Sequence, residues 1–227
     1  MSTAILIGNS DGIGLSATRM LLEKGWIVAG LSRSASPIQN KAYSHTIVSV
    51  EDERFTDHLR ESMKLLGHID LCVYCAGIGE LMDFSRMENE LNIFQVNLMG
   101  MVRTVVEMVP IFIEQGSGHF IGLSSLADEL LSAEAPSYHA SKAAFSRYLE
   151  SLALTLRPRG IYMTNLRFGF VETKMAKGDI KPFMMDVDQA VRHLLKCIRK
   201  KPVRYTAPRI SIPLVKLRRL MMKISAF

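Results

Sequence analysis

A tyrosine and a lysine four residues apart have the types and spacing for proton transfer. In "PSYHASKAAF", Tyr138 and Lys142 occupy one face of a predicted helix, one turn apart. A phenol with a pKa of about 10 exchanges protons poorly at neutral pH. Because a neighbouring ammonium favours the phenolate, we expect Lys142 to lower the pKa of Tyr138. Tyr138 then exchanges a proton with a carbonyl or alcohol oxygen.

The same spacing occurs on ordinary amphipathic surface helices, so the pair needs support from elsewhere in the chain. Thirteen residues before Tyr138, the segment "FIGLSSLAD" ends a predicted strand with Ser124 and Ser125. Parallel sheets hold their ligands at the carboxyl ends of the strands. This placement favours an active site built from Ser125, Tyr138 and Lys142.

Near the N-terminus, "ILIGNSDGIG" joins an apolar run to a predicted helix through Gly8, Gly12 and Gly14. Glycine permits a positive φ and a close backbone approach. A helix N-terminus in this context binds a pyrophosphate. The spacing is G-x3-G-x-G and not G-x-G-x-x-G, so taken alone it fits a phosphate-binding turn and a plain strand–helix turn equally well.

Short apolar runs alternate with longer segments of helical periodicity. The runs predict buried strands: "TAILIG", "WIVAGLS", "HTIVSV", "IDLCVYCAG", "HFIGLSS" and "IYMTNLRFG". Helices are predicted near residues 13–24, 54–66, 87–115, 137–157 and 186–200. This alternation indicates parallel βαβ units with helices on both faces of a sheet. Gly100 and Pro110 predict a bend or two pieces in the long helix, and the segment from Gly169 to Met185 is expected to be a short loop or lid.

Length and composition fit one globular domain, since 227 residues suffice for a full hydrophobic core. No apolar run approaches the roughly 18–20 residues that a membrane span needs, and no basic segment of the signal-peptide type precedes the first strand. Three cysteines are few and odd in number. These features predict a cytoplasmic protein in a reducing compartment.

The net charge of +6 comes from the C-terminal end, because no acidic residue follows Asp188. Residues 209–227 form a basic amphipathic tail, with Leu214, Leu217, Met221 and Ile224 on one predicted helical stripe. Docking of this stripe on the protein itself or on a partner subunit is the favoured interpretation. Contact of residues 212–224 with an anionic membrane is the alternative. The tail lacks the aromatic or Gly/Arg interleaving of nucleic-acid binders, so nucleic acid is not an expected partner.

Taken together, the glycine turn, Ser125 and the YxxxK helix resemble the short-chain dehydrogenases/reductases of the compact, classical-like type, from Gly8 to about Thr173. The resemblance implies an α/β fold. Residues 1–208 would form a single domain with a doubly wound, Rossmann-like parallel sheet of about seven strands in the order 3-2-1-4-5-6-7. It implies an oxidoreductase that passes a hydride between a nicotinamide cofactor and a small carbonyl/alcohol substrate. It also implies a homodimer or homotetramer, paired through the long helices.

The resemblance assigns four catalytic roles. Tyr138 is the general acid in reduction and the general base in oxidation, Lys142 lowers its pKa and holds the nicotinamide ribose, and Ser125 stabilises the substrate oxygen. Asn97 orders a water in the proton relay, although an Asn that bonds the backbone at a helix kink fits the same position. The implied cofactor-binding residues are Gly8, Ser10, Asp11, Gly12, Ile13, Gly14, Ser32, Arg33, Ser34, Ala76, Gly77, Tyr138, Lys142, Gly169, Val171 and Thr173.

The segment after the second strand predicts NADP(H) as the cofactor, with NAD(H) less favoured. A carboxylate there pairs with the ribose hydroxyls of NAD, whereas "LSRSAS" offers Ser32, Arg33 and Ser34, which suit a 2′-phosphate. A solvated surface arginine is the alternative interpretation of Arg33. Asp11 runs against the prediction, since NADP-using relatives often carry a basic residue in the glycine turn.

Four features depart from the family pattern: Ile7 replaces a Thr, Tyr74-Cys75 replaces Asn-Asn, Ser49 replaces an Asp and Phe168 replaces a Pro. We expect the first two to remove hydrogen-bonding side chains that brace the sheet near the cofactor, which would loosen its binding. The changes at Ile7, Tyr74 and Ser49 motivate the alternative of a catalytically weak NADP(H)-binding regulator, and the basic tail motivates that of a membrane-surface protein. No metal site is expected. The six histidines show no ligand spacing, and Cys72 and Cys75 point to opposite faces of a strand.

Overall fold

The apolar runs form one parallel sheet in the computed structural model, which describes residues 1–175 and 183–225. Its strand order is β3-β2-β1-β4-β5-β6-β7, which confirms the predicted order. The strands are β1 Thr3–Ile7, β2 Ile27–Ser32, β3 Tyr43–Ile47, β4 Leu71–Tyr74, β5 Gly118–Ser125, β6 Ile161–Phe168 and β7 Arg204–Ala207. The third strand begins two residues before the apolar run "HTIVSV", and Val48 and Val50 of that run are buried beyond the end of the strand.

Helices connect these strands close to the predicted positions. Their bounds are α1 Gly12–Glu23, α2 Phe55–Leu66, α3 Glu88–Phe94, α4 Gly100–Gln115, α5 Pro136–Leu156, α6 Val187–Lys200 and α7 Ser211–Ser225. A π-helical turn, Gln95–Met99, joins α3 to α4, and a 3-10 turn, Leu126–Glu129, follows β5.

Both faces of the sheet are covered, which explains why the strand segments are apolar throughout and do not alternate. On one face Ile5 and Ile7 pack with residues of α2, α4 and α5, including Phe55 and Phe145. On the other face Leu6 packs with residues of α1 and α6. The doubly wound architecture thus follows from two separate apolar cores.

The helical segment from Glu88 to Gln115 is broken, although not at its proline. Pro110 lies inside α4, and the interruption is the π-helical turn, where the Gly100 N–H donates to the Gln95 carbonyl oxygen. By length and by a mean hydropathy of 1.6 this segment qualifies as a membrane span, contrary to the expectation that no run does. Met101, Val105, Met108 and Phe112 are buried in the core, and we interpret the segment as a core helix.

The strand order reverses between β1 and β4, so the carboxyl ends of these two strands face a crevice between diverging connections. Ligands of open α/β sheets bind at such a position. The glycine turn after β1, the residues after β4 and the end of β5 therefore meet at one edge.

Candidate active site

The glycine turn brings the backbone of the first connection close to the end of β4. Gly8 has a φ of 81°, and a Cβ there would lie 2.6 Å from Ala76 Cα. Gly12 also has a positive φ, 53°. Asp11 caps α1, since its carboxylate accepts a hydrogen bond from the Gly12 N–H at 2.8 Å. The turn therefore needs its glycines for close packing and left-handed backbone.

A salt bridge links this turn to the segment after β6. Lys174 Nζ lies 2.6 Å from Asp11 Oδ2, and both side chains are largely exposed. Hydrogen bonds from Lys174 and from the Gly12 N–H lower the pKa of Asp11. Beside this bridge a cleft of about 480 Å³ opens at the N-terminal end of α1, with Gly12, Ser16 and Thr173 among its lining residues.

Ser125 and Tyr138 come together at the carboxyl end of β5. Ser125 precedes the 3-10 turn and accepts a hydrogen bond from the Ala127 N–H at 3.1 Å. Burial raises the pKa of Tyr138, while a hydrogen bond with Ser125 acts in the opposite direction. The expectation of a lowered Tyr138 pKa is therefore wrong for the arrangement in this structure.

Lys142 is held by the strand beneath α5. Its side chain is buried, with Nζ 3.1 Å from the Leu123 carbonyl oxygen and 6.0 Å from the centre of the Tyr138 ring. Burial lowers the pKa of Lys142 to about 8. The pKa of Tyr138 is set by its burial, by Ser125 and by Asp128, and burial is the largest of these effects.

Asn97 lies in the π-helical turn and is fully buried. It accepts a hydrogen bond from the Ile78 N–H at 2.8 Å and donates to the Ile78 carbonyl oxygen at 2.9 Å. Its amide also donates to Ser141 at 3.1 Å, and Ser141 donates to the Tyr138 carbonyl oxygen at 2.8 Å. Asn97 therefore links the backbone after β4 to α5. This is the backbone-bonding role that the sequence analysis gave as the alternative for Asn97, with a second contact to α5.

Arg33, directly after β2, forms no salt bridge with an acid among the described residues. Arg33 is exposed, and Ser32 donates to the Ser34 carbonyl oxygen at 2.9 Å. The Ser32 hydroxyl also pairs with His45 Nε2 at 2.8 Å, a partner on β3 that the sequence did not suggest. Ser32 is thus already hydrogen-bonded, and Arg33 is the group best placed to meet an anion.

The connection after β6 runs across the front of the site. The Gly169 N–H donates to the Ala207 carbonyl oxygen at 2.9 Å, and Val171 pairs with Met185 in an isolated bridge. A Cβ at Gly12 would lie 3.4 Å from Thr173 Cγ2. Met175 approaches the positions of Gly77 and Gly79. The part of the predicted lid at 176–182 lies outside the described residues.

The sequence matches the short chain dehydrogenase family over residues 2–182. The chain belongs to this family. An uncharacterized oxidoreductase of Myxococcus xanthus is 30% identical over 226 residues, covering 93% of this chain and 89% of the relative. One from Staphylococcus haemolyticus is 28% identical, covering 77% of this chain and 80% of the relative. Membership confirms the resemblance seen in the sequence and places the chain among the oxidoreductases.

Solved structures show the same fold. A short-chain dehydrogenase from Streptomyces avermitilis superposes with a TM-score of 0.86 at 20% identity, covering 99% of this chain and 94% of that one. A short chain dehydrogenase from Burkholderia cenocepacia, solved in complex with NADP, has a TM-score of 0.83 at 18% identity, covering 95% of this chain and 91% of that one. Identities this low establish the architecture alone.

Tyr74, one of the residues that depart from the family pattern, forms a hydrogen bond that stabilises the end of β4. The Tyr74 hydroxyl is fully buried and donates to the Val96 carbonyl oxygen in the π-helical turn at 2.6 Å. The expectation that Tyr74 removes a bracing hydrogen bond is therefore wrong. Ser49 turns to Glu51, with its hydroxyl 3.0 Å from the carboxylate. Cys72 and Cys75 pack against opposite cores, as predicted for their strand.

A buried ionic cluster that lies close to Ser125 was not predicted by the sequence analysis. Arg167 Nη2 lies 2.6 Å from both Asp128 and Glu129, and the Arg167 side chain is 4% exposed. Ser146 donates to Asp128 at 2.6 Å and pairs with Ser124 at 2.8 Å. The cluster ties the 3-10 turn after Ser125 to β6. An arginine within the apolar run of β6 was the sequence feature that could have predicted this cluster, because a buried guanidinium needs a carboxylate partner.

Among residues 1–175 and 183–225, no group of three or more His, Cys, Asp or Glu side chains forms a metal site.

Proposed function

We propose that this short-chain dehydrogenase is an NADP(H)-dependent oxidoreductase that interconverts a small-molecule carbonyl and alcohol. The observation that carries the proposal is the placement of Ser125 and Tyr138 together at the carboxyl end of β5, with the buried Lys142 ammonium 6.0 Å from the centre of the tyrosine ring. A substrate oxygen between the two hydroxyls receives two hydrogen bonds, which stabilise charge as it develops there.

The residues present fit a nicotinamide dinucleotide. The N-terminus of α1 offers backbone N–H groups to a pyrophosphate, and the close packing of Gly8 on Ala76 keeps side chains out of the turn. Lys142, at 3.6 Å from the Cβ position of Gly77, is a buried cation for the ribose hydroxyls. When bound, the cofactor supplies or accepts the hydride.

Tyr138 serves as the proton donor in reduction. Because burial raises the pKa of its hydroxyl, the group remains protonated at neutral pH and is ready to protonate the developing alkoxide. In the oxidative direction the phenolate would accept the proton of the alcohol.

Arg33 supports NADP(H) over NAD(H). Its guanidinium is exposed at the end of β2, where a 2′-phosphate is met in dinucleotide-binding folds. Arg33 has no carboxylate partner within the described residues, so a phosphate would not displace an existing ion pair. Asp11 is neutralised by Lys174, which reduces its repulsion of a phosphate.

Exposed apolar side chains on the long helices support a homodimer or homotetramer. Val106 and Ile113 on α4 are 58% and 45% exposed, and Leu154 on α5 is 76% exposed. Exposed apolar residues on long helices are typical of an interface between subunits. Three free cysteines agree with a cytoplasmic location.

A second candidate, an NADP(H)-binding regulator without turnover, is favoured by one contact. Met175 lies within 4 Å of the Cβ positions of Gly77 and Gly79, and Gly79 in turn borders Tyr138. A side chain there restricts the space over the catalytic residues.

Cofactor binding and turnover, measured separately, distinguish the two candidates. Calorimetry gives the affinities for NADPH and NADH, and absorbance at the nicotinamide band follows oxidation of NADPH with a panel of aldehydes and ketones of graded size. We expect NADPH to bind more tightly than NADH and to be consumed with at least one carbonyl class. Tight NADPH binding with no turnover on the whole panel would establish the regulator instead.

A further inference from the structure

A cleft with cations in its lining lies beside α6, between this helix and Pro208. It has a volume of about 390 Å³, and Arg192, His193 and Lys196 contribute to its lining, with Pro208 at one side. Arg192 and Lys196 are exposed and one helical turn apart. His193 is held by the Tyr205 hydroxyl at 2.9 Å, so its ring is oriented by the fold.

Three residues after Pro208 the chain enters α7, which contacts the body of the protein along one side. Ser211 is buried, and Ile212 and Val215 are half-buried. Leu214 and Leu217 are turned away from that side and are 49% and 55% exposed. These two leucines therefore do not dock on the chain itself, and docking on a partner subunit, the other half of the favoured interpretation, stays a prediction.

Charge distinguishes this exposed stripe from the apolar faces of α4 and α5. The sequence after Asp188 has eleven Lys and Arg residues and no Asp or Glu, and the α7 segment carries four of the cations, Lys216, Arg218, Arg219 and Lys223. Arg192 and Lys196 extend the positive charge to the base of the helix. A surface that combines apolar side chains with cations alone is complementary to an anionic lipid bilayer.

We propose that α7, together with Arg192 and Lys196 of α6, forms a docking surface for anionic phospholipid membranes. Leu214 and Leu217 insert among the acyl chains, while the exposed cations Arg192, Lys196 and Arg218 contact lipid phosphates. A second copy of the chain fits less well, because a two-fold contact through this surface would place like charges against one another. Nucleic acid fits less well, because exposed leucines have no partner on a phosphate backbone.

Vesicle flotation with the full-length protein tests the proposal. One set of vesicles contains phosphatidylcholine alone, and the other contains phosphatidylcholine with one third phosphatidylglycerol. The apolar variant is Leu214→Ser with Leu217→Ser, and the charge variant is Arg192→Glu with Lys196→Glu. The matched control is Lys64→Glu with Leu65→Ser on α2, where both side chains are exposed.

We expect the wild type and the α2 control to float with the anionic vesicles and to remain behind with the neutral ones. Each test variant should lose at least tenfold in the fraction bound, and raising the salt concentration should weaken wild-type binding. NADPH affinity should be the same in all four proteins, so a failure here is independent of the proposed enzymatic function.

Two results would overturn the proposal. One is equal flotation of wild type and apolar variant. The other is a change of mass in solution for the apolar variant, measured by light scattering, without any loss of vesicle binding. The latter would assign the stripe to a second copy of the chain.

Discussion

The Lys142 ammonium lies 6.0 Å from the centre of the Tyr138 ring and donates its hydrogen bond to the Leu123 carbonyl oxygen of β5. The same strand ends in Ser125, whose side chain acts on the pKa of Tyr138 in the direction opposite to burial. One strand therefore fixes both the lysine and the hydroxyl partner of the tyrosine. The YxxxK helix supplies the two side chains, and β5 sets their geometry.

Burying Lys142 has a cost that depends on pH. Its pKa falls from 10.5 to about 8 on folding. Between these values the unfolded chain binds more protons than the folded one, so the stability contribution rises with pH. We expect wild type to gain roughly 2 kcal/mol in unfolding free energy, relative to Lys142→Met, between about pH 7 and about pH 10. Urea unfolding of both proteins across this range measures the difference.

Lys64→Met is the matched control, since Lys64 is an exposed lysine in the last turn of α2. Its stability difference from wild type should stay constant with pH. A constant difference for Lys142→Met as well would show that the buried ammonium is not destabilised in the folded protein.

Arg33 governs the preference between the two cofactors. Replacing Arg33 with Ala removes the charged group assigned to the 2′-phosphate, and a hydrogen bond to a charged group contributes about 1.5–3 kcal/mol. We expect NADPH affinity to fall roughly tenfold to a hundredfold, with NADH affinity unchanged. Calorimetric titration of each cofactor checks this, with Arg54→Ala, an arginine whose side chain is 76% exposed, as the control. Equal losses for both cofactors would place Arg33 away from the 2′-phosphate.

The salt bridge between Asp11 and Lys174 determines the net charge at the glycine turn. Without Lys174, the Asp11 carboxylate repels an incoming pyrophosphate, so Lys174→Ala should weaken NADPH binding about twofold to fivefold, within the range of an exposed ion pair. Asp11→Ser should restore the loss when combined with Lys174→Ala. The four affinities of this double-mutant cycle, measured at low salt, give the coupling. Additive effects would mean that the salt bridge does not bear on cofactor binding.

Much of the architecture could be predicted because each element carries a local signal. Apolar runs bounded by glycine or charged residues predicted the strands to within a few residues, and β1 and β5 are examples. The positions of Ser125 and Tyr138 follow from the end of one such strand and the start of one such helix. Residue type and spacing were sufficient there.

The remaining features depend on residues that meet only in the folded chain. The π-helical turn accepts a hydrogen bond from Tyr74, whose hydroxyl donates to the carbonyl oxygen of Val96, 22 residues later in the sequence. Arg167 meets Asp128 across 39 residues. The raised pKa of Tyr138 reflects burial, which no four-residue motif reports. A sequence motif specifies which side chains are present, whereas packing decides their partners and their solvation.

The most direct test of the central claim is turnover by Tyr138→Phe, assayed with a carbonyl that the wild type reduces. Removing the hydroxyl leaves the ring in its place and takes away the proposed proton donor. We predict that kcat falls by about a thousandfold while NADPH affinity stays within about twofold, measured by calorimetry on the same preparation. A variant that keeps most of its turnover would contradict the assignment of Tyr138 as the proton donor.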